Sequence, residues 1–290
     1  MARRSLVFFS YFALANATSM LAKADPPLSR PIETRPENGY WSTGKPRWFV
    51  STHSDFGTPY FKPYFSAGYG MPHWIWAGVD VNGILTTEMT QFYGGVRASS
   101  PLLDLAFGAR DTFSFQKPFL EPRRSYTYRD VYGDPGDRAR YWAWEAEAVG
   151  VIPLPHFAIV GDFIVVRTLD VPDDKYVYDE SYRAIVADTT FGVLRVAPVI
   201  QLLKEDALKV GILGEWIFEA GRYKDVFRLG PAGALQLTDH LEALAGITFV
   251  VSSPDNLGLV LGTYGTACVR YRWATGEDKP ALPWNERFIP

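Results

Sequence analysis

Residues 103–116 read Leu-Asp-Leu-Ala-Phe-Gly-Ala-Arg-Asp-Thr-Phe-Ser-Phe-Gln. Taken alternately, Leu103, Leu105, Phe107, Ala109, Asp111, Phe113 and Phe115 lie on one side, and Asp104, Ala106, Gly108, Arg110, Thr112, Ser114 and Gln116 on the other. Successive side chains of a β-strand point to opposite faces, so the stretch reads as one long strand with an apolar face and a small or polar face.

The alternation recurs along the chain. In 141–152, Trp142, Trp144, Ala146, Ala148 and Ile152 oppose Tyr141, Ala143, Glu145 and Glu147. In 207–219, Leu208, Val210, Ile212, Trp216 and Phe218 oppose Lys209, Glu215 and Glu219. In 225–238, Phe227, Leu229, Leu235 and Leu237 oppose Arg228, Ala232, Gln236 and Thr238. Residues 241–252 repeat it, and 257–273 sets Leu257, Leu259, Leu261, Val269, Tyr271 and Trp273 against Gly262, Thr266, Arg270 and Arg272. These segments are two to three times the usual soluble strand of about five or six residues. A tilted strand crossing a membrane needs about 9–11. The pattern predicts an all-β, antiparallel transmembrane barrel, with the apolar face toward lipid and the polar face lining the lumen. Gly108, Gly211, Gly230 and Gly262 would relieve crowding inside. A soluble lipocalin-like barrel is the alternative fold.

Ten strands follow from the pattern: 73–81, 84–98, 102–116, 138–152, 157–170, 181–203, 207–220, 225–238, 241–253 and 257–273. A further hairpin over 46–55 and 59–69 makes twelve, the favoured count, although Pro59, Lys62 and Pro63 suit a strand poorly. Strand 181–203 is too long for the membrane alone and is expected to project outward. Asn82-Gly83 reads as a tight hairpin turn. With the chain end in the periplasm, the two longest connections, 117–137 and 171–180, both fall outside. The periplasmic turns are all short, as in outer-membrane barrels. Trp74, Trp76, Trp142, Trp144, Tyr271 and Trp273 near strand ends would form the aromatic girdles.

Composition agrees. Of 290 residues 47% are hydrophobic, 15% aromatic and 21% charged, which excludes a disordered chain. Only the first two dozen residues form a long apolar run, so a helical multi-span protein is excluded. One cysteine allows neither an intrachain disulfide nor a cysteine zinc site. Arg3 and Arg4, an apolar run from Leu6 to Leu21, and small-x-small sites at Ala15–Ala17 and Ala22–Ala24 read as a secretory signal peptide cleaved near Ala24. No cysteine stands there for lipid attachment. The signal removes Arg3, Arg4 and Lys23 from 29 basic residues against 32 acidic ones. The exported chain is therefore acidic, and nucleic acid is not expected as a partner. Residues 25–45 are Pro-rich and read as a periplasmic extension or partial plug. Residues 46–273 form the barrel, and 274–290 an irregular tail.

On these grounds the chain resembles bacterial outer-membrane β-barrel proteins of ten to twelve strands. The resemblance covers roughly residues 46–273, rests on pattern and identifies no specific family. It implies an outer-membrane location in a Gram-negative envelope, with outer-membrane lipid around the barrel.

Residues that carry chemistry are few. His156 and His240 read as turn residues, and His73 begins a strand. His53 lies in Ser-Thr-His-Ser-Asp-Phe-Gly. Outer-membrane phospholipases and lipid A deacylases, similar in size and architecture, use a histidine with a serine two positions later. Here the second residue after His53 is Asp55, and Ser51 stands two before it. A Ser51–His53–Asp55 row on one strand face is a weak catalytic candidate, because triads are normally assembled from separate segments. No metal-ligand spacing appears and no cofactor is expected; 133–138 and 170–175 are acidic loops without a calcium-loop spacing. Gly262–Cys268 is not followed by a helix and is no phosphate loop. Cys268 is expected to face the lumen as an inert thiol.

The informative constellation is the charged lumen face: Glu88, Asp104, Arg110, Glu145, Glu147, Asp162, Arg195, Lys209, Glu215, Glu219, Arg228, Arg270 and Arg272. Either these charges pair across strands into a salt-bridged plug, or they line a narrow passage and set its selectivity. The readings are therefore a small channel or passive transporter, a structural or docking barrel of an envelope complex, and an outer-membrane lipid hydrolase. The docking reading uses loop 117–137, rich in Arg and Tyr, or the Pro-rich ends.

Overall fold

The computed structural model describes residues 46–58, 60–72, 75–133, 137–154, 157–202, 208–238 and 240–275. The signal segment 1–24, the extension 25–45, nearly all of the tail 274–290, His73, Trp74 and His156 lie outside the described residues. The strands are β1 (Arg47–Thr58), β2 (Tyr60–Met71), β3 (Ile75–Thr86), β4 (Met89–Ser99), β5 (Leu103–Pro118), β6 (Arg138–Pro153), β7 (Ala158–Leu169), β8 (Val177–Asp179), β9 (Ala184–Val186), β10 (Thr190–Gln201), β11 (Leu208–Phe218), β12 (Val226–Gln236), β13 (Leu241–Ser252) and β14 (Tyr264–Ala274). Two single-turn helices are α1 (Tyr128–Gly133) and α2 (Gly258–Gly262). Twelve strands close a barrel in chain order, β7 pairing with β10 and β14 returning to β1, every pair antiparallel. The short pair β8–β9 stands apart.

The barrel has its apolar face outside. Val50, Phe56, Phe65, Val79, Phe92, Leu105, Phe107, Trp144, Ile212, Leu229, Phe249 and Trp273 are all exposed. A soluble lipocalin-like barrel would turn these rows inward, since a continuous apolar wall in water drives aggregation. The fold is that of outer-membrane-type β-barrels.

Both chain ends of the barrel, Arg47 and Ala274, lie at the end of the short connections 72–74, 100–102, 154–157, 202–207 and 237–240. The opposite end carries connections 119–137, 170–189 and 253–263. In outer-membrane barrels generally, short turns lie on the periplasmic side and longer loops outside.

Three features differ from the alternation pattern. Asn82-Gly83 is no hairpin: β3 runs through it, and the turn lies at Thr87-Glu88. The Thr86 hydroxyl builds that turn by accepting from the amides of Glu88 and Met89 at 3.0 and 2.9 Å. A turn at 82–83 would have left a strand too short to cross a bilayer. Tyr60–Met71 forms β2 despite Pro63, as the favoured twelve-strand reading expects. Strand 181–203 is not one projecting strand: only Thr190–Gln201 joins the barrel, and 177–186 folds back as the β8–β9 hairpin. Finally, Leu257–Leu261 does not start the last strand. Its chain turns at Gly258 (φ 68°) into α2, and β14 begins at Tyr264.

The β8–β9 hairpin is buried on both sides. Val177, Ala184 and Val186 pack on the inward residues Tyr141, Ile164, Val166, Phe191, Val193 and Ile217. On its other side Tyr178 and Ile185 pack with Leu120, Tyr126, Val131, Leu257 and Leu261 from loops 119–133 and 253–263. The hairpin thus enters the barrel mouth, and the two loops close over it.

Candidate functional site

The inward faces of the strands carry the charges, and these are tied into groups. On the β3–β6 wall Arg97 reaches Asp80 at 3.0 Å, Glu147 at 3.8 Å, and Asp104. One level nearer the mouth Arg110 meets Glu145 at 2.7 Å and Asp179 of the hairpin at 2.8 Å. The Tyr141 hydroxyl also donates to Asp179 at 2.8 Å, and Tyr182 donates to Glu145 at 3.0 Å. On the far wall Arg195 bridges Asp162 and Glu215 at 3.3 and 2.7 Å. Arg228, almost fully buried, pairs with Glu215 and donates to the carbonyls of Gly262, Tyr182 and Arg183 at 2.8, 2.9 and 2.6 Å. At the barrel seam Arg270 forks onto Asp55 at 2.6 and 2.8 Å, and Arg272 reaches Glu242 at 3.0 Å. Charges taken out of water persist only when partnered in this way.

The hairpin tip, residues 179–183, is the hub. Arg110 holds its Asp179, Lys117 its Glu180, Gln91 accepts from Ser181 at 2.6 Å, and Arg228 holds two of its carbonyls. Strand alternation alone could not find these residues, because a plug strand buried on both faces has no polar and apolar side.

The anticipated lumen residues divide accordingly. Asp104, Arg110, Glu145, Glu147, Asp162, Arg195, Lys209, Glu215, Arg228, Arg270 and Arg272 stand on inward faces. Glu88 and Glu219 do not line strands. Glu88 lies in the β3–β4 turn, paired with Lys117 and accepting from the Tyr132 hydroxyl at 2.7 Å. Burial works against its ionisation, but Lys117 and Tyr132 outweigh that and hold its carboxyl below the usual glutamate value. Glu219 follows the end of β11, exposed and with φ 62°. The misplaced hairpin also turned the reading of β4 over: a one-residue slip exchanges the faces of a strand. Gln91, Tyr93 and Arg97 face inward, and Arg97 went unread for that reason. Trp76 is no girdle residue; it is buried and packs edge-on against Phe49 at 5.4 Å.

Ser51, His53 and Asp55 do share the inward face of β1, Ser51 and Asp55 buried. Both Asp55 oxygens accept from Arg270, and His53 stacks on Tyr64 with ring centroids 3.9 Å apart. His240 Nδ1 lies 2.9 Å from the Arg272 carbonyl. Cys268 is a buried free thiol on the inward face of β14. Among the described residues no group of three or more His, Cys, Asp or Glu has metal-binding geometry. Loop 117–137 turns Tyr126 into the cap, where burial pushes its hydroxyl up to about 12.

The hairpin does not fill the mouth. It packs on the β5–β12 side, and between it and the β14–β1–β4 side remains a cavity of about 160 Å³. Tyr60, Lys62, Tyr64, Asn82, Tyr93 and Tyr264 line it from the wall, and Glu180–Arg183 from the hairpin, above Glu145, Glu147 and Asp162. At about 30 Å³ per water this holds a handful of waters or one small solute. The Lys62 ammonium stands 5.1 Å over the Tyr64 ring. Tyr93 lies flat across Gly95 and Gly108, where a Cβ would come within 2.6 Å of its ring or hydroxyl. Small residues there keep the slot clear by letting the ring lie against the wall.

No protein-family model matches the chain, and no curated protein matches it. Among solved structures it is similar to the beta domain of the Bordetella autotransporter Brka. The TM-score is 0.38 and the identity 13%, over 79% of this chain and 99% of that one. That likeness is one of fold, and the closed twelve-strand barrel with its apolar outer wall stands without it.

Proposed function

We propose that the chain is exported to the outer membrane of a Gram-negative envelope and forms a narrow hydrophilic passage, which its own β8–β9 hairpin holds nearly shut. The observation that carries this reading is the slot beside the hairpin, lined by tyrosines and by charges of both signs. A barrel serving only as a scaffold has no need of a polar space in its mouth. The apolar outer wall supports the membrane location. The paired charges would set selectivity by presenting fixed fields to a passing solute.

Planar-bilayer recording tests it, with protein whose heat-modifiable gel migration marks a folded barrel. Wild-type protein is expected to give small, discrete, salt-dependent steps. A variant with 177–186 replaced by a short Gly-Ser link is expected to give steps several times larger. A folded barrel silent in both forms would overturn the reading and turn attention to a docking role.

A further inference from the structure

On the lipid-facing wall, charge is confined to one place. Among the described outward-facing strand residues only Asp111 on β5, Arg138 and Arg140 on β6, and Arg167 on β7 are charged. They lie on three neighbouring strands, Arg138 and Arg140 nearest the extracellular end and Arg167 four positions further along the ladder than Arg140. Below Arg138 and Arg140 on β6 the next outward residues are Trp142 and Trp144, both exposed, with Asp111 opposite Trp142 and Arg167 opposite Trp144. Tryptophans in such a position sit at the membrane–water interface, which sets Arg138 and Arg140 at headgroup level and Arg167 within the interface beside Trp144.

Their internal bonding leaves donors over. Arg140 gives Nε and Nη2 to Asp111 at 3.3 and 2.9 Å, Arg167 gives Nη1 to Asp188 at 2.7 Å, and Arg138 gives Nη1 to the Gln116 carbonyl. Each guanidinium carries five N–H donors. The Arg140 side chain is 63% exposed and that of Arg167 42%. In these contacts three cations meet two carboxylates. Guanidinium pairs with phosphate through two parallel hydrogen bonds and is more weakly hydrated than an ammonium.

We infer that Arg138, Arg140 and Arg167 form a binding site for a lipid of the outer leaflet whose headgroup carries an accessible phosphate. The site rests on the membrane reading above but not on the passage. Its ligand is a lipid because the side chains stand on the wall that acyl chains cover. Asp111 and Asp188 orient the arginines and leave their outer donors to the headgroup.

The test reconstitutes the full chain in phosphatidylcholine vesicles holding a minor fraction of phosphatidic acid, then measures the lipids retained after mild delipidation. Retained lipid is expected to be enriched in phosphatidic acid by roughly fivefold, the effect of about one arginine beside an anionic headgroup. R138Q/R140Q/R167Q is expected to return to the bulk ratio while keeping its heat-modifiable migration. Arg124→Gln, a cation in the loop above, is expected to keep the enrichment. Should the triple variant fail to fold, Asp111→Asn decides: it frees Arg140 and is expected to raise the enrichment. Equal retention in wild type and triple variant, loss with Arg124→Gln, a fall with Asp111→Asn, or release of the lipid by inorganic phosphate alone would each overturn the site. A chain that never enters the bilayer overturns the membrane reading, and the site with it.

Discussion

Arg228 is the side chain on which the barrel interior converges. Its guanidinium ties β12 to the neighbouring β11 through Glu215, and the wall to the hairpin through the carbonyls of Tyr182 and Arg183. Arg228→Leu would leave those carbonyls and part of Glu215 buried without donors. Removing one partner of such a network costs about 3–5 kcal/mol, readable as a lower urea midpoint in detergent micelles. Gly108 matters for what it lacks. A Cβ there would meet the Gly94 carbonyl at 2.5 Å and the Tyr93 ring at 2.6 Å. Gly108→Val is expected to destabilise by about 1–3 kcal/mol, the usual cost of overpacking, and to swing Tyr93 into the slot. The same unfolding measurement with single-channel recording checks both effects. Gly108 was legible as a small lumen residue, but the ring that needs it was not, because Tyr93 lies on another strand.

At the scale of elements, the β8–β9 hairpin is held by apolar packing on both sides and by ion pairs at its tip. Arg110→Gln weakens its grip on Asp179 and leaves Glu145 and Asp179 facing each other. It is expected to raise open time or conductance without unfolding the barrel, which gel migration would register. The cap answers to acid. Glu88 is held below its ordinary value of 4.5, and Asp130, on exposed α1, is held low by the Thr127 amide and hydroxyl at its N-terminal turn. A depressed carboxyl contributes stability that is present above its ordinary pKa and is lost as pH falls through the lower folded value. Protease access to loops 119–137 and 170–189 is therefore expected to rise below about pH 4 and to be unchanged between pH 6 and 8. Glu88→Gln should remove much of that acid response. Long strands were legible here because alternation repeats over a dozen positions. The turn at Thr87-Glu88 was not, because a threonine hydroxyl does what glycine usually does in a tight turn.

For the whole molecule, closure at the β1–β14 seam is the defining event, and Asp55–Arg270 lies across it. Arg270→Ala strands a buried carboxylate and is expected to cost about 3–5 kcal/mol, lowering the temperature at which the compact gel band disappears. In D55N/R270Q no charge is left alone. The double variant is expected to recover more than half of that loss, the signature of coupled neighbours. The twelve-strand count, the outward apolar face and the sidedness of long and short connections all follow from features that repeat along the chain. Each is a local statement that holds where the alternation is clean and fails where turn chemistry misleads, as Asn82-Gly83 did for β4.

What escaped reading was what the enclosed space does with segments that leave the wall. In sequence Val177–Asp179 falls in the expected outer connection 171–180, and Ala184–Val186 near the start of the expected strand 181–203. They fold inward because Arg110, Lys117 and Arg228, brought from distant parts of the chain, offer partners there for Asp179, Glu180 and two backbone carbonyls. The amino acids alone carry the barrel, its orientation and the polarity of its lumen, since these depend on each residue's own neighbours at i and i+2. Only folding decides which charges meet and whether the mouth is open. Those outcomes depend on distances across the lumen that no stretch of sequence contains.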